Sequence, residues 1–312
     1  MVPLLFVEAI MSAIPSVDDA VGYTPSGVPW RALIAVTRPR VLALVTVTGL
    51  PVFGLHQHAV SLGAAAAILA GTLMVGGSCS ALNAVLERDL DAKMTRTIDR
   101  PLPSGALSVE GAIAWGLLLG AAGCGLLVVA GTPLAGWVGF GTIAFYVGVY
   151  TGFLKRRTPQ NIVIGGAAGA TAPLIVDAAV DGRIGFAGLL LFLLIFLWTP
   201  AHFWAIALFR REEYAAASIP MMPNVIGDHP TRWRMLGYGA LTVLASLHPY
   251  LVGELGPIYT VPAVGLGVYF LWKLVELLRV RTVTAARSAF MASNFYLLLL
   301  FVAMLTSVSI PG

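Results

Sequence analysis

The sequence is short of charge. Of its 312 residues only 11% are Asp, Glu, Lys or Arg, while 58% belong to the hydrophobic set and the mean hydropathy is +0.87. A soluble domain carries about a quarter of its residues as charges, because its surface must be solvated. The shortage excludes a water-soluble globule, a disordered chain and a coiled coil. Cysteine is almost absent: Cys79 and Cys124 stand alone inside apolar runs, which fits neither a disulfide framework nor a zinc site. The net charge of +4 is too small to argue for nucleic acid. Lys and Arg are missing from residues 1–30, which instead hold Glu8, Asp18 and Asp19. That stretch matches neither an Arg-rich transit peptide nor a signal peptide with a basic start. The expectation is a loosely ordered cytoplasmic arm over 1–35, followed by a membrane domain over 36–312.

What is present is a series of apolar runs long enough to cross a bilayer as helices. Nine are expected, over 41–56, 62–86, 108–131, 133–153, 160–181, 186–209, 233–252, 257–278 and 288–310, so the fold class is all-α and multi-pass. Alternating these spans places 18 of the 19 Lys and Arg residues at one set of ends and leaves Arg183 at the other. Positive loops stay in the cytoplasm, which predicts an internal N-terminus and an external C-terminus. At the outer end of the fifth span, Asp177 and Asp181 with Arg183 read as an interfacial group, and His56 and His248 receive no role.

The remaining charge is crowded. Span two runs into Asn83, Glu87 and Asp91, spaced four residues apart, so a continuing helix would align them within about 80° of rotation. Carboxylate and amide oxygens suit a hard divalent cation such as Mg²⁺, which shares its coordination with substrate phosphates. Lys93, Arg96 and Arg100 follow, and cations of this kind pair with phosphate oxygens. A solvated loop with local pairs, Glu87 with Arg88 and Asp91 with Lys93, is the plainer alternative. Span six ends in a similar way, with Glu212 and Glu213 after Arg210 and Arg211 and then a proline-bearing loop. Span four ends at the same membrane face in Tyr150, Lys155, Arg156 and Arg157, cations that a positive-inside anchor explains equally well. A metal between two acid clusters would bind a diphosphate at the membrane surface, and an allylic diphosphate could lay its tail in the bundle. His202, two turns inside span six, is a polar residue in a span and hence a functional candidate, although a packing histidine is the commoner case.

These strings resemble the intramembrane UbiA-type prenyltransferases, and within them the branch that modifies haem. The resemblance is carried by Asn83 to Gly105, by Tyr150 to Ala170, and by Trp198 to Pro223 with His202-Phe203-Trp204 and Ile219-Pro220-Met221. Ala84 agrees with the haem branch, where quinone-pathway relatives generally carry Asp. The resemblance implies a nine-helix bundle that moves the farnesyl group of farnesyl diphosphate to a vinyl group of haem b with Mg²⁺ assisting. It implies Asn83, Glu87, Asp91 and Lys155 as the catalytic centre. Asn83, Glu87, Asp91, Glu212 and Glu213 would be the metal ligands. Arg96, Arg100, Arg156 and Tyr150 would lie on the substrate, with Lys155 also holding diphosphate and His202 on the haem side. It further implies a bacterial plasma membrane location and a partner in haem A formation or terminal oxidase assembly that receives the product. The sequence departs from the family pattern at Glu212-Glu213, often Asp-Asp, and at Ala201, Ser218 and Asp177, the last often Trp.

Three other readings are weaker. A prenyltransferase for a quinone precursor is disfavoured by Ala84. A transporter would place ionisable groups near the bilayer midplane, whereas here the acids cluster at one face. A haem electron-transfer protein needs two histidines at one depth, and His202 and His248 are not level.

Overall fold

A computed structural model describes residues 29–56 and 60–309, and every regular element among them is helical. Apolar chain in lipid has no water to bond its backbone, so each segment closes its own hydrogen bonds as a helix. The starts are fixed by local chemistry. Ser61 Oγ accepts from the Ala64 N–H at 3.2 Å, and Ser108 Oγ from the Gly111 N–H at 3.0 Å. Thr132 Oγ accepts from the Ala135 N–H at 3.3 Å with Pro133 in the first turn. Side-chain oxygens of this kind satisfy amide groups that a helix N-terminus leaves unpaired.

Seven helices are long and apolar enough to cross a membrane: Leu62–Leu86, Val109–Ala130, Pro133–Leu154, Asn161–Asp181, Phe186–Phe209, Pro257–Val280 and Val283–Val308. An eighth span is possible from Trp30–Val36 and Pro39–Leu55, a pair bent by 47°. The count of nine is therefore corrected to seven or eight among the described residues. The segment expected at 233–252 does form a helix, Asp228–Leu251, but Asp228, Arg232 and Arg234 at one end and His248 at the other make it less apolar than its neighbours. Residues 1–28 of the expected arm lie outside the described residues. From Trp30 the chain is already helical and packs against Leu62–Leu86 and Val109–Ala130.

Small residues let the helices approach closely. A Cβ on Gly123 would stand 2.9 Å from the Gly71 carbonyl oxygen, so Leu62–Leu86 and Val109–Ala130 meet backbone to backbone. In the C-terminal half the core is aromatic: Phe270 stacks on Tyr296 at 5.1 Å, and the Tyr259 hydroxyl donates to the Ser246 carbonyl at 2.5 Å. The bundle has two polar ends. One joins Leu62–Leu86 to the end of Pro133–Leu154, and Phe186–Phe209 to the start of Asp228–Leu251. The other holds Asp177, which is fully buried. Asp177 does not group with Arg183 as expected. Its Oδ1 lies 2.7 Å from His56 Nε2 and its Oδ2 accepts from the Gly185 N–H at 2.5 Å, while Arg183 pairs with Asp181.

Candidate active site

The site begins where the Leu62–Leu86 helix stops. Glu87 takes φ −105° and ψ 5°, and a separate short helix, Arg88–Asp91, follows. The single straight helix expected through Asn83, Glu87 and Asp91 is thus broken at its middle residue. The break keeps all three buried side chains inward. Asn83 Nδ2 donates to Glu87 Oε2 at 3.0 Å, and Asp91 accepts both its bonds from Arg100 Nη1, at 2.8 and 2.9 Å. Neither acid makes the local pair expected of a solvated loop. Glu87 reaches Lys155 and Asp91 reaches Arg100.

Lys155 is delivered by an unusual turn. Phe145–Leu154 is π-helical, and the Lys155 N–H bonds the Tyr150 carbonyl five residues back at 2.9 Å. Wide turns of this type gather at functional sites because they re-aim side chains that an α-helix would spread. Here the turn puts Thr151 Oγ 2.9 Å from Asn83 Oδ1 and Lys155 against Glu87. The Tyr150 ring fits only because residue 165 is glycine: a Cβ there would lie 2.1 Å from the ring. Asn161 Nδ2 bonds the Thr158 carbonyl at 2.8 Å and holds the loop after Lys155.

The charge balance favours an anion. Burial raises the Glu87 carboxyl, yet Lys155, with Arg38 and the Asn83 amide adding to it, holds it below its ordinary 4.5. Arg38 was read in the sequence only as an inside-positive charge. Its φ of 55° puts it in the left-handed region ahead of Pro39, at the bend of the N-terminal helix pair. That position is sterically costly for a residue with a Cβ. It points the guanidinium at the cluster, where Arg38 Nη2 is buried without a hydrogen-bond partner. Burial and the nearby Arg38 charge both lower the Arg100 guanidinium. Two acids thus face three cations, an excess of one positive charge. The sequence clue was Arg38-Pro39-Arg40, since a residue before proline is restricted away from the ordinary helical region.

The other expected site residues sit differently. Arg156 makes a bidentate pair with Asp89 at 2.7 and 3.1 Å and bonds the Leu86 carbonyl at 2.9 Å, outside the buried cluster. Arg96 is exposed. In the second acid group Glu212 is exposed, whereas Glu213 pairs with Arg210 at 2.6 Å and keeps Oε2 buried and unpartnered. No three His, Cys, Asp or Glu side chains among the described residues gather closely enough to hold a metal. His202 is buried against Trp198 at 4.2 Å, Phe290 at 4.8 Å and an edge-on Phe203 at 5.3 Å, with Nδ1 2.8 Å from Ser293 Oγ.

The sequence pattern of the UbiA prenyltransferase family matches residues 42–304. The chain belongs to the UbiA prenyltransferase family. Within that family it is 41% identical over 289 residues to protoheme IX farnesyltransferase 1 of Pseudomonas fluorescens, covering 91% of this chain and 96% of that one. It is 45% identical over 275 residues to protoheme IX farnesyltransferase of Afipia carboxidovorans, covering 86% and 87%. Among solved structures it is similar to that of a digeranylgeranylglyceryl phosphate synthase, with a TM-score of 0.76 and 15% identity over 90% of this chain and 98% of that one. A UbiA homologue of Archaeoglobus fulgidus bound to GPP and Mg²⁺ gives a TM-score of 0.65 at 16% identity, covering 89% and 100%. The prenyltransferase fold is therefore shared where sequence similarity is low. Every site residue expected from the sequence lies within the matched span, and Arg38 lies four positions ahead of it.

Proposed function

We propose that this chain transfers the farnesyl group of farnesyl diphosphate to a vinyl group of haem b, releasing diphosphate and giving haem O. The observation that carries this is identity above 40% along nearly the whole chain to relatives named for that activity. The cluster around Glu87 and Asp91 supports it, because a net positive, partly buried group of side chains at one end of a lipid-embedded bundle suits a diphosphate whose tail is apolar. The donor set also fits Mg²⁺. Asn83, Glu87 and Asp91 offer hard oxygens, and two carboxylates with phosphate oxygens suffice for this ion. Glu213, whose Oε2 is buried and unpartnered, rather than Glu212 would serve a second ion on the same diphosphate in this reading. When bound, the metal neutralises charge on the departing diphosphate.

Lys155, Arg100 and Arg38 receive the diphosphate oxygens as the allylic C–O bond breaks, the general role of cations placed where charge develops. Thr151 and Asn83 hold Glu87 in place, and Arg100 orients Asp91. The vinyl carbon forms the new C–C bond to the farnesyl cation. Water adds to the carbon next to the porphyrin and loses a proton, leaving a hydroxyethylfarnesyl group. The crowding of Lys and Arg at this face supports a plasma membrane protein with the site cytoplasmic. The apolar product then passes to a partner in haem A formation or terminal oxidase assembly.

Detergent-purified protein incubated with haem b, farnesyl diphosphate and Mg²⁺ is expected to yield haem O by mass spectrometry. Prenylation of an aromatic acid acceptor with haem b untouched would overturn the reading.

A further inference from the structure

The hydrogen bonds around His202 determine which of its nitrogens is free. Ser293 Oγ lies 2.7 Å from the Phe290 carbonyl oxygen and 2.8 Å from His202 Nδ1. A carbonyl only accepts, so the single hydroxyl proton goes to Phe290, and Oγ must accept from the Nδ1–H. With no carboxylate against it the ring holds one proton, and its lone pair is on Nε2. Nε2 has no hydrogen-bond partner among the described residues. The ring faces are covered by Trp198 and Phe290. Trp198 is fixed in turn, since its indole N–H donates to the Ser293 carbonyl at 2.9 Å. The result is an oriented imidazole whose basic nitrogen alone is uncommitted.

We infer that His202 Nε2 is the axial ligand to the iron of haem b, an inference that rests on the haem acceptor reading above. Histidines that bind metals hold their other ring nitrogen in a hydrogen bond, which fixes the tautomer and the ring angle. Ser293 supplies that bond here. At the charged end of the helix that carries Ser293, Arg287 lies 5.7 Å from the Phe209 ring, and Phe209 lies 6.0 Å from Phe290. Arg287 makes no ion pair among the described residues and is the cation for a propionate. His202 is thus a positioning residue: it holds the acceptor by its iron so that a vinyl group faces the farnesyl carbon.

The test is a titration of full-length purified protein with haem b, read by resonance Raman and electron paramagnetic resonance. The wild type is expected to show histidine-ligated iron. His202→Ala is expected to lose that signature while still binding farnesyl diphosphate, and added imidazole is expected to restore both the signature and part of the haem O yield. Ser293→Ala is expected to keep the ligand and shift the iron–nitrogen stretch. Histidine ligation that persists in His202→Ala with haem bound would overturn the ligand assignment and leave the proposed function standing. A wild type that neither binds nor farnesylates haem b would overturn both.

Discussion

Asp91 and Asp177 are both buried carboxylates in one bundle, and they differ in what surrounds them. Asp177 is closed off: one oxygen meets the His56 imidazole and the other a backbone N–H, so both carboxylate oxygens are partnered. Asp91 belongs to a cluster with more cations than acids, and Arg38 Nη2 in that cluster is buried and unpaired. Burial of an acid therefore does not mark the site by itself. A surplus of oriented positive charge does, because buried donors without partners are costly unless a ligand completes them. The first arrangement ties the loop at Gly185 and the end of Leu50–Leu55 to the Asn161–Asp181 helix. The second is ready for an anion.

The largest expected effect follows from Asp91→Ala and Glu87→Ala, each lowering haem O formation by at least about 100-fold, the scale of losing an oriented charge contact in a transition state. Asp177→Ala should behave in the opposite way. Breaking a buried pair costs about 3 kcal/mol, so thermal unfolding in detergent moves down markedly, while turnover per folded molecule stays within a few-fold of wild type. Arg38→Gln is expected to raise the KM for farnesyl diphosphate about tenfold, one charge-assisted contact of about 1.4 kcal/mol, with little change in stability. Arg156→Gln should change turnover by no more than about twofold, because its partner Asp89 is at the surface, where such pairs contribute little.

The smallest effect is a pH dependence. The Glu87 carboxyl is held below 4.5 in the folded protein, so its pairing stabilises above its ordinary range and is lost as pH falls through the lowered value. Thermal stability of the wild type should decline in that acid window, and Glu87→Gln should flatten the decline. An unchanged slope in Glu87→Gln would remove Lys155–Glu87 from the account.

The membrane class, most helix positions and the polar ends of the bundle were legible in the sequence, because apolar run length and Lys and Arg placement follow directly from the bilayer. The pairing of Glu87 with Lys155 and of Asp177 with His56 was not, since each joins residues far apart in the chain. The π-helical stretch Phe145–Leu154 reads as any apolar run, for no residue type in it marks a five-residue hydrogen bond. The break at Glu87 was hidden by a spacing that also suits an unbroken helix. Arg38 was visible only as one more charge beside a span, and its inward aim depends on a backbone angle that the following proline hints at without fixing.

The central claim is that the surplus charge around Asp91, and not the buried acid at Asp177, receives the diphosphate. Equilibrium binding of radiolabelled farnesyl diphosphate in the presence of Mg²⁺ tests it most directly, with wild type, Arg38→Gln combined with Arg100→Gln, and Asp177→Asn compared at one ionic strength. The account predicts that the double arginine variant loses binding by about 100-fold, as expected for two charge contacts, and that Asp177→Asn binds like wild type. Unchanged binding in the double variant, or loss of binding in Asp177→Asn while it remains folded, would contradict it.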